Sequence, residues 1–130
     1  MEEVRWLEIG FTREEALVLA GFQRTPESWT LGVELAVWRQ WVTEIERGEL
    51  HTRDELESAY DVRDDIEDSC SAIASEYRER LYDYLDELDL TFRDSTVHLA
   101  DSKRTEPNGR WWRGRIPVRN RARAYLFDED

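Results

Sequence analysis

Lysine is nearly absent from this chain of 130 residues: Lys103 stands alone among 18 basic side chains, and the other 17 are Arg. Cys70 is the single cysteine, which excludes an internal disulfide framework and any multi-cysteine zinc site. The two histidines, His51 and His98, belong to no His-Glu-x-x-His or Glu-x-x-His pair. The six glycines form neither Gly-x-x-x-x-Gly-Lys nor Gly-x-Gly-x-x-Gly, and no Gly-x-Ser-x-Gly elbow is present. No apolar run approaches the roughly 18–20 residues that span a bilayer. Met1-Glu2-Glu3 lacks the basic-then-apolar layout of a signal peptide, so the expected location is the cytoplasm or a virion.

What is abundant is acid and aromatic surface. Hydrophobic residues make up 40% and aromatic residues 12%, enough for one real core in a single domain and too much for a disordered chain. Thirty acidic residues give a net charge of −12, which repels nucleic acid and anionic membranes over most of the surface. Arg in place of Lys, together with heavy Asp and Glu use, is the composition expected of an extreme halophile or a virus of one, where salt screens self-repulsion. An acidic protein of an ordinary high-GC bacterium is the rival source. The charge is uneven: residues 1–101 carry a net −16, residues 102–127 a net +7, and Asp128-Glu129-Asp130 a further −3. The chain therefore divides into an acidic helical part, 1–101, and a basic Trp/Arg-rich C-terminal arm, 102–130. That arm either belongs to the same domain or reaches out for assembly.

Residue patterns predict a mainly α fold, a helical hairpin or bundle with one long helix and a short β or extended C-terminal arm. Thr12-Arg13-Glu14-Glu15 reads as a capping box opening a short helix that stops at Gly21. Thr25 as cap and Pro26 at the first helical position predict the start of a second helix, which ends at Gly48. Leu31, Leu35, Trp38, Val42 and Ile45 lie on one face of it, and Val33, Val37 and Trp41 widen that face. So broad a stripe is buried on more than one side or faces a second subunit. Gly32 within this helix marks a close helix–helix approach. Thr52-Arg53-Asp54-Glu55 is a second capping box. From Ala59 to Leu88 apolar residues step by three or four with no Gly or Pro between residues 53 and 90, which predicts one helix of about 50 Å at ~1.5 Å per residue. Asp61–Asp65 is the candidate for a break. Thr91–Arg93, Thr96–Leu99, Arg110–Arg113 and Ala122–Phe127 read as extended, with a turn at Pro107-Asn108-Gly109.

Few residues offer chemistry. Cys70 sits in the Ile66–Cys70–Ile73–Tyr77 stripe beside Glu67 and Asp68, a core position with a raised thiol pKa rather than a nucleophile's setting. Asp61, Asp64, Asp65 and Asp68 could draw a hard cation, but ligands from one helical run converge poorly, and a solvated acidic face explains them better. Residues 12–42 have the outline of a helix-turn-helix, yet the second helix is apolar and acidic where a reading helix would be basic.

The arm is the most distinctive feature. Arg110, Trp111, Trp112, Arg113 and Arg115 interleave aromatics with guanidinium groups, and Arg119, Arg121 and Arg123 continue the charge. These eight are the candidate partner-binding residues, because Trp and Arg dominate interface hot spots. Two other readings stand beside that one: a nucleic-acid contact with Trp as stacking platform, and a segment packed on the protein's own acidic helices. If residues 110–113 form a strand, Trp111 and Trp112 face opposite ways. The expectation is a non-enzymatic assembly or adaptor subunit without cofactor or metal. Its partner would be a protein or further copies of itself, not a membrane, with nucleic acid disfavoured. The small helical connectors of tailed-virus heads offer an architectural analogy only. The alternatives are an acidic inhibitor or antitoxin-like nucleic-acid mimic, and a nucleic-acid-binding regulator using the basic arm.

Overall fold

A computed structural model describes residues 6–8, 10–50, 52–98 and 110–118. It is mainly helical, with four α-helices and a short two-stranded antiparallel sheet among these residues. Helix α1, Arg13–Ala20, opens with the expected capping box: Thr12 Oγ1 accepts from the Glu15 amide at 3.1 Å, and Glu15 Oε1 accepts from the Thr12 amide at 2.9 Å.

Helix α2, Leu31–Arg47, begins five residues later than the Thr25–Pro26 signal predicts. Thr25 and Ser28 close a four-residue turn instead, with Ser28 N–H on the Thr25 carbonyl at 3.1 Å. Proline's fixed φ suits the second position of such a turn as well as a first helical turn, so the same residues served either outcome. Thr30 is the true cap and accepts from the Val33 amide at 3.2 Å. Leu31, Leu35, Trp38, Val42 and Ile45 are all buried as the spacing predicts. Gly48, at φ 72°, ends the helix in the left-handed conformation that glycine adopts without strain. Gly32 does mark a close approach: a Cβ there would lie 3.0 Å from the Ala20 carbonyl oxygen and 3.2 Å from its Cβ.

The predicted 50 Å helix is two helices. Helix α3, Arg53–Ala72, and helix α4, Ser75–Asp94, are separated at Ile73 and Ala74, which take extended backbone, and not at Asp61–Asp65. The apolar steps of three and four run straight across the break, so side-chain periodicity does not reveal it. Arg78 holds the corner: its guanidinium donates to the carbonyls of Cys70 at 2.9 Å, Ser71 at 3.3 Å and Ile73 at 3.0 Å. These are orphan carbonyls at the end of α3, and a cation there also opposes the helix dipole.

Helix α4 continues through Thr91–Arg93, which were expected to be extended, because Leu81, Leu85 and Phe92 share its buried face. Strand β1, Thr96–His98, then pairs antiparallel with β2, Arg115–Pro117, with Val97 opposite Ile116. The segment expected as a strand at 110–113 is a 3₁₀ turn, Trp111–Gly114. Both indoles therefore turn toward α3 and α4: Trp112 is fully buried and Trp111 half-buried, meeting edge to face with centroids 5.6 Å apart. The extended reading of residues 122–127 and the Pro107–Gly109 turn lie outside the described residues. No helix among the described residues is long and apolar enough to cross a membrane.

Candidate functional site

The acidic residues of α3 at 57, 61, 64 and 68 recur at helical spacing and form a row along one side of the helix. The arm lies across that row. Arg113 donates to Asp61 at 2.8 Å and grips Asp64 through Nε at 3.0 Å and through Nη2, with Glu57 at 3.8 Å. Arg110 reaches Asp64 at 3.1 Å and Asp68 at 2.9 Å. Trp112 Nε1 donates to Asp64 at 2.8 Å. Burial disfavours ionised Asp64, but the bonds from Arg113, Trp112 and Arg110 outweigh it and hold the carboxyl below its ordinary range. The acidic row is thus a guanidinium-clasped face rather than a wholly solvated one.

Arg115 secures the arm's far end. It donates to Thr96 Oγ1 at 2.8 Å and to the carbonyls of Thr96 at 2.9 Å and Arg93 at 3.1 Å. The Arg115 carbonyl accepts from the Tyr60 hydroxyl. Trp111 rests against Phe92 and carries the Arg93 guanidinium 4.0 Å above its ring. Of the eight candidate partner-binding residues, the structure gathers Arg110, Trp111, Trp112, Arg113 and Arg115 on this chain's own α3, α4 and β1. Arg119, Arg121 and Arg123 lie outside the described residues.

Beneath the clasp is a buried ionic centre that the sequence reading missed. Arg63 on α3 forks onto Asp89 of α4 at 2.8 and 3.1 Å, and Trp38 Nε1 of α2 donates to the same carboxylate at 3.2 Å. The Arg63 guanidinium also lies 4.3 Å from the Trp112 ring, so the arm forms the lid of this centre. Burial pushes Asp89 above its ordinary value, with the Arg63 and Trp38 bonds pulling the other way. On Arg63, burial works to loosen the proton, and the hydrogen bonds to Asp89 more than compensate. A second pair links α2 to α3: Arg24 donates to the fully buried Glu34 at 3.0 Å and to Ser69 at 3.0 Å, while Ser69 donates to Glu34 at 2.7 Å. Burial raises the Glu34 pKa despite these bonds. The available signal was phase. Arg63, Asp89 and Glu34 occupy apolar-stripe positions beside Val62, Leu88 and Leu35, and opposite charges at core phase on facing helices mark a buried pair.

Cys70 is buried, and burial first, then the nearby Glu67 charge, push its thiol up to about 12, so it is a protonated core side chain at neutral pH. Among the described residues no group of His, Cys, Asp and Glu is placed to hold a metal ion.

Away from the clasp the helical hairpin of α1 and α2 leaves apolar side chains in solvent. Leu17 is 72% exposed, Val18 70%, Trp29 55% and Val33 42%. Trp29, Val33, Val37 and Trp41 step by four, and the Gly32–Ala20 approach sets α1 beside the start of this row.

Fold and site together define a class: a small helical protein with its C-terminal segment strapped over an acidic helix by a Trp–Arg clasp. The chain matches no protein-family model, no curated protein and no solved structure in the comparisons made with it.

Proposed function

We propose that the protein is a non-enzymatic assembly or adaptor subunit that works through protein–protein contacts. One observation carries this reading: Leu17, Val18, Trp29 and Val33 all stand exposed on the α1–α2 hairpin, whereas the other exposed large apolar side chains among the described residues, Leu7, Leu90 and Val97, lie one each in the turn before α1, on α4 and on β1. The division of labour differs from one in which the arm alone docks. Residues 110–115 close this chain's own core, and the α1–α2 hairpin presents the sticky surface. The acidic-mimic alternative draws on a different face, the exposed Glu76, Glu79, Asp83, Asp86, Glu87 and Asp94 of α4.

Affinity isolation from the native host separates the readings. A defined partner retained by Asp83→Lys/Glu87→Lys and lost from Leu17→Glu/Val33→Glu supports the adaptor reading. Loss from the α4 variant alone transfers the role to the acidic face. A salt-sensitive shift with DNA or RNA would instead favour the regulator.

A further inference from the structure

We propose that the α1–α2 hairpin is a homodimer interface, occupied by the same face of a second copy about a two-fold axis. The inference rests on the assembly reading and names its first partner. Charge distribution supports it. Helices α3 and α4 together hold fifteen acidic and five basic side chains, whereas α1 and α2 hold five acidic and three basic. One of those five acids, Glu34, is buried against Arg24. Two molecules approaching through the outer face of α4 would set exposed Glu79, Asp83, Asp86, Glu87 and Asp94 of one against the same acids of the other, and only part of the α3 row is neutralised by the clasp. Among the described helices, α1 and α2 are the ones through which a second copy can come close with little charge opposed to charge. A two-fold axis through it also sends both sets of acidic helices to the outside.

Chemistry selects the same occupant. A basic partner would be drawn to the exposed acids of α3 and α4, and nucleic acid would be repelled by the same acids. An apolar, nearly neutral face is matched by another such face, and the hairpin itself provides one. Two-fold pairing needs only self-complementarity. Leu17 and Val18 on α1, with Trp29 just before the Thr30 cap and Val33 in the first turn of α2, supply apolar side chains including the aromatic anchor that interface cores favour. Exposed Arg13 and Glu14 provide one charge of each sign for the rim. The half-buried Val37 and Trp41 pack against this chain's own core and border the exposed row along α2.

The test is the solution mass of the full chain by light scattering and sedimentation equilibrium, at sub-millimolar concentration in dilute and molar salt. The expected result is twice the 15.5 kDa chain mass, with tighter association in molar salt. Leu17→Glu/Val33→Glu is expected to weaken the dimer at least about a hundredfold with unchanged helical circular dichroism, since both positions are exposed. Leu90→Glu on α4, 59% exposed, is expected to leave the mass unchanged. A wild-type monomer in both salts overturns the proposal, and so does a dimer that survives the double variant or dissolves in Leu90→Glu. A monomer that still loses a different partner through Leu17→Glu/Val33→Glu would sink the second copy as occupant and leave the assembly reading standing.

Discussion

Arg63 and Asp89 show how one pair of residues joins the core to the arm. Asp89 receives two bonds from the guanidinium and one from Trp38, and the other side of Arg63 is roofed by Trp112. Removing one member leaves a buried charge without compensation, so Arg63→Met is expected to lower stability by about 3–5 kcal/mol. Adding Asp89→Asn should recover part of that loss, because the charge disappears while the amide oxygen still accepts from Trp38. Urea denaturation of the single and double variants checks both statements. Asp64 behaves differently. Its carboxyl is held below the ordinary range in the folded state, so its stabilisation is complete above the unfolded value, roughly pH 4, and is lost as pH falls through the lower folded value. The advantage of wild type over Asp64→Asn is therefore expected to be greatest near neutrality and to shrink below about pH 4. Glu34 and Asp65, both raised chiefly by burial, act in the opposite sense, since their protonation on acidification favours the folded state. Comparing the two proteins at each pH isolates Asp64 from them.

At the scale of elements, the junctions decide the fold. Thr12, Thr52 and Gly48 are strong local signals, and each acts where it stands in sequence because its partners lie within four residues. The α1–α2 contact is long-range and depends on Gly32. Ala there gains up to about 1 kcal/mol of helix propensity, but its methyl would press on the Ala20 carbonyl oxygen at 3.0 Å. Backbone cannot swing aside as a flexible side chain can, and overpacking typically costs about 1–3 kcal/mol. Gly32→Ala is expected to be net destabilising by thermal unfolding, against its propensity. It should also weaken any association through the hairpin, by altering how Leu17 and Val33 are presented together.

Across the whole molecule, the acidic excess outweighs the pairs that offset it. The clasp neutralises part of α3, while the outer face of α4 keeps Glu79, Asp83, Asp86, Glu87 and Asp94 in solvent. Salt screens these exposed repulsions more fully than the partly buried pairs of Arg110 and Arg113 with Asp64. The melting temperature is therefore expected to rise between about 0.1 M and 1 M KCl. A flat or falling melting temperature in a calorimetric series would mean that the clasp, rather than self-repulsion, dominates the salt response.

The sequence by itself determined the helical class, four of the helix starts and stops (Thr12, Gly21, Gly48 and Thr52), the buried face of α2, the core role of Cys70 and the close approach at Gly32. All but the last depend on contacts within one or two turns or on a periodicity that survives without knowledge of the neighbours; the Gly32 contact is long-range, and a glycine inside an otherwise apolar helix was its signal. It also singled out the Trp/Arg arm, because that composition differs sharply from the acid before it. Only tertiary structure decided what the arm touches. A guanidinium can pair with this chain's Asp61, Asp64 and Asp68 or with a partner's acids, and nothing local distinguishes them. The break at Ile73 and Ala74 was equally hidden, for it depends on Arg78 reaching back to the end of α3 while the apolar rhythm continues unbroken. Arg63 and Asp89 lie 26 residues apart, and only the turn between α3 and α4 brings their opposite charges together out of water.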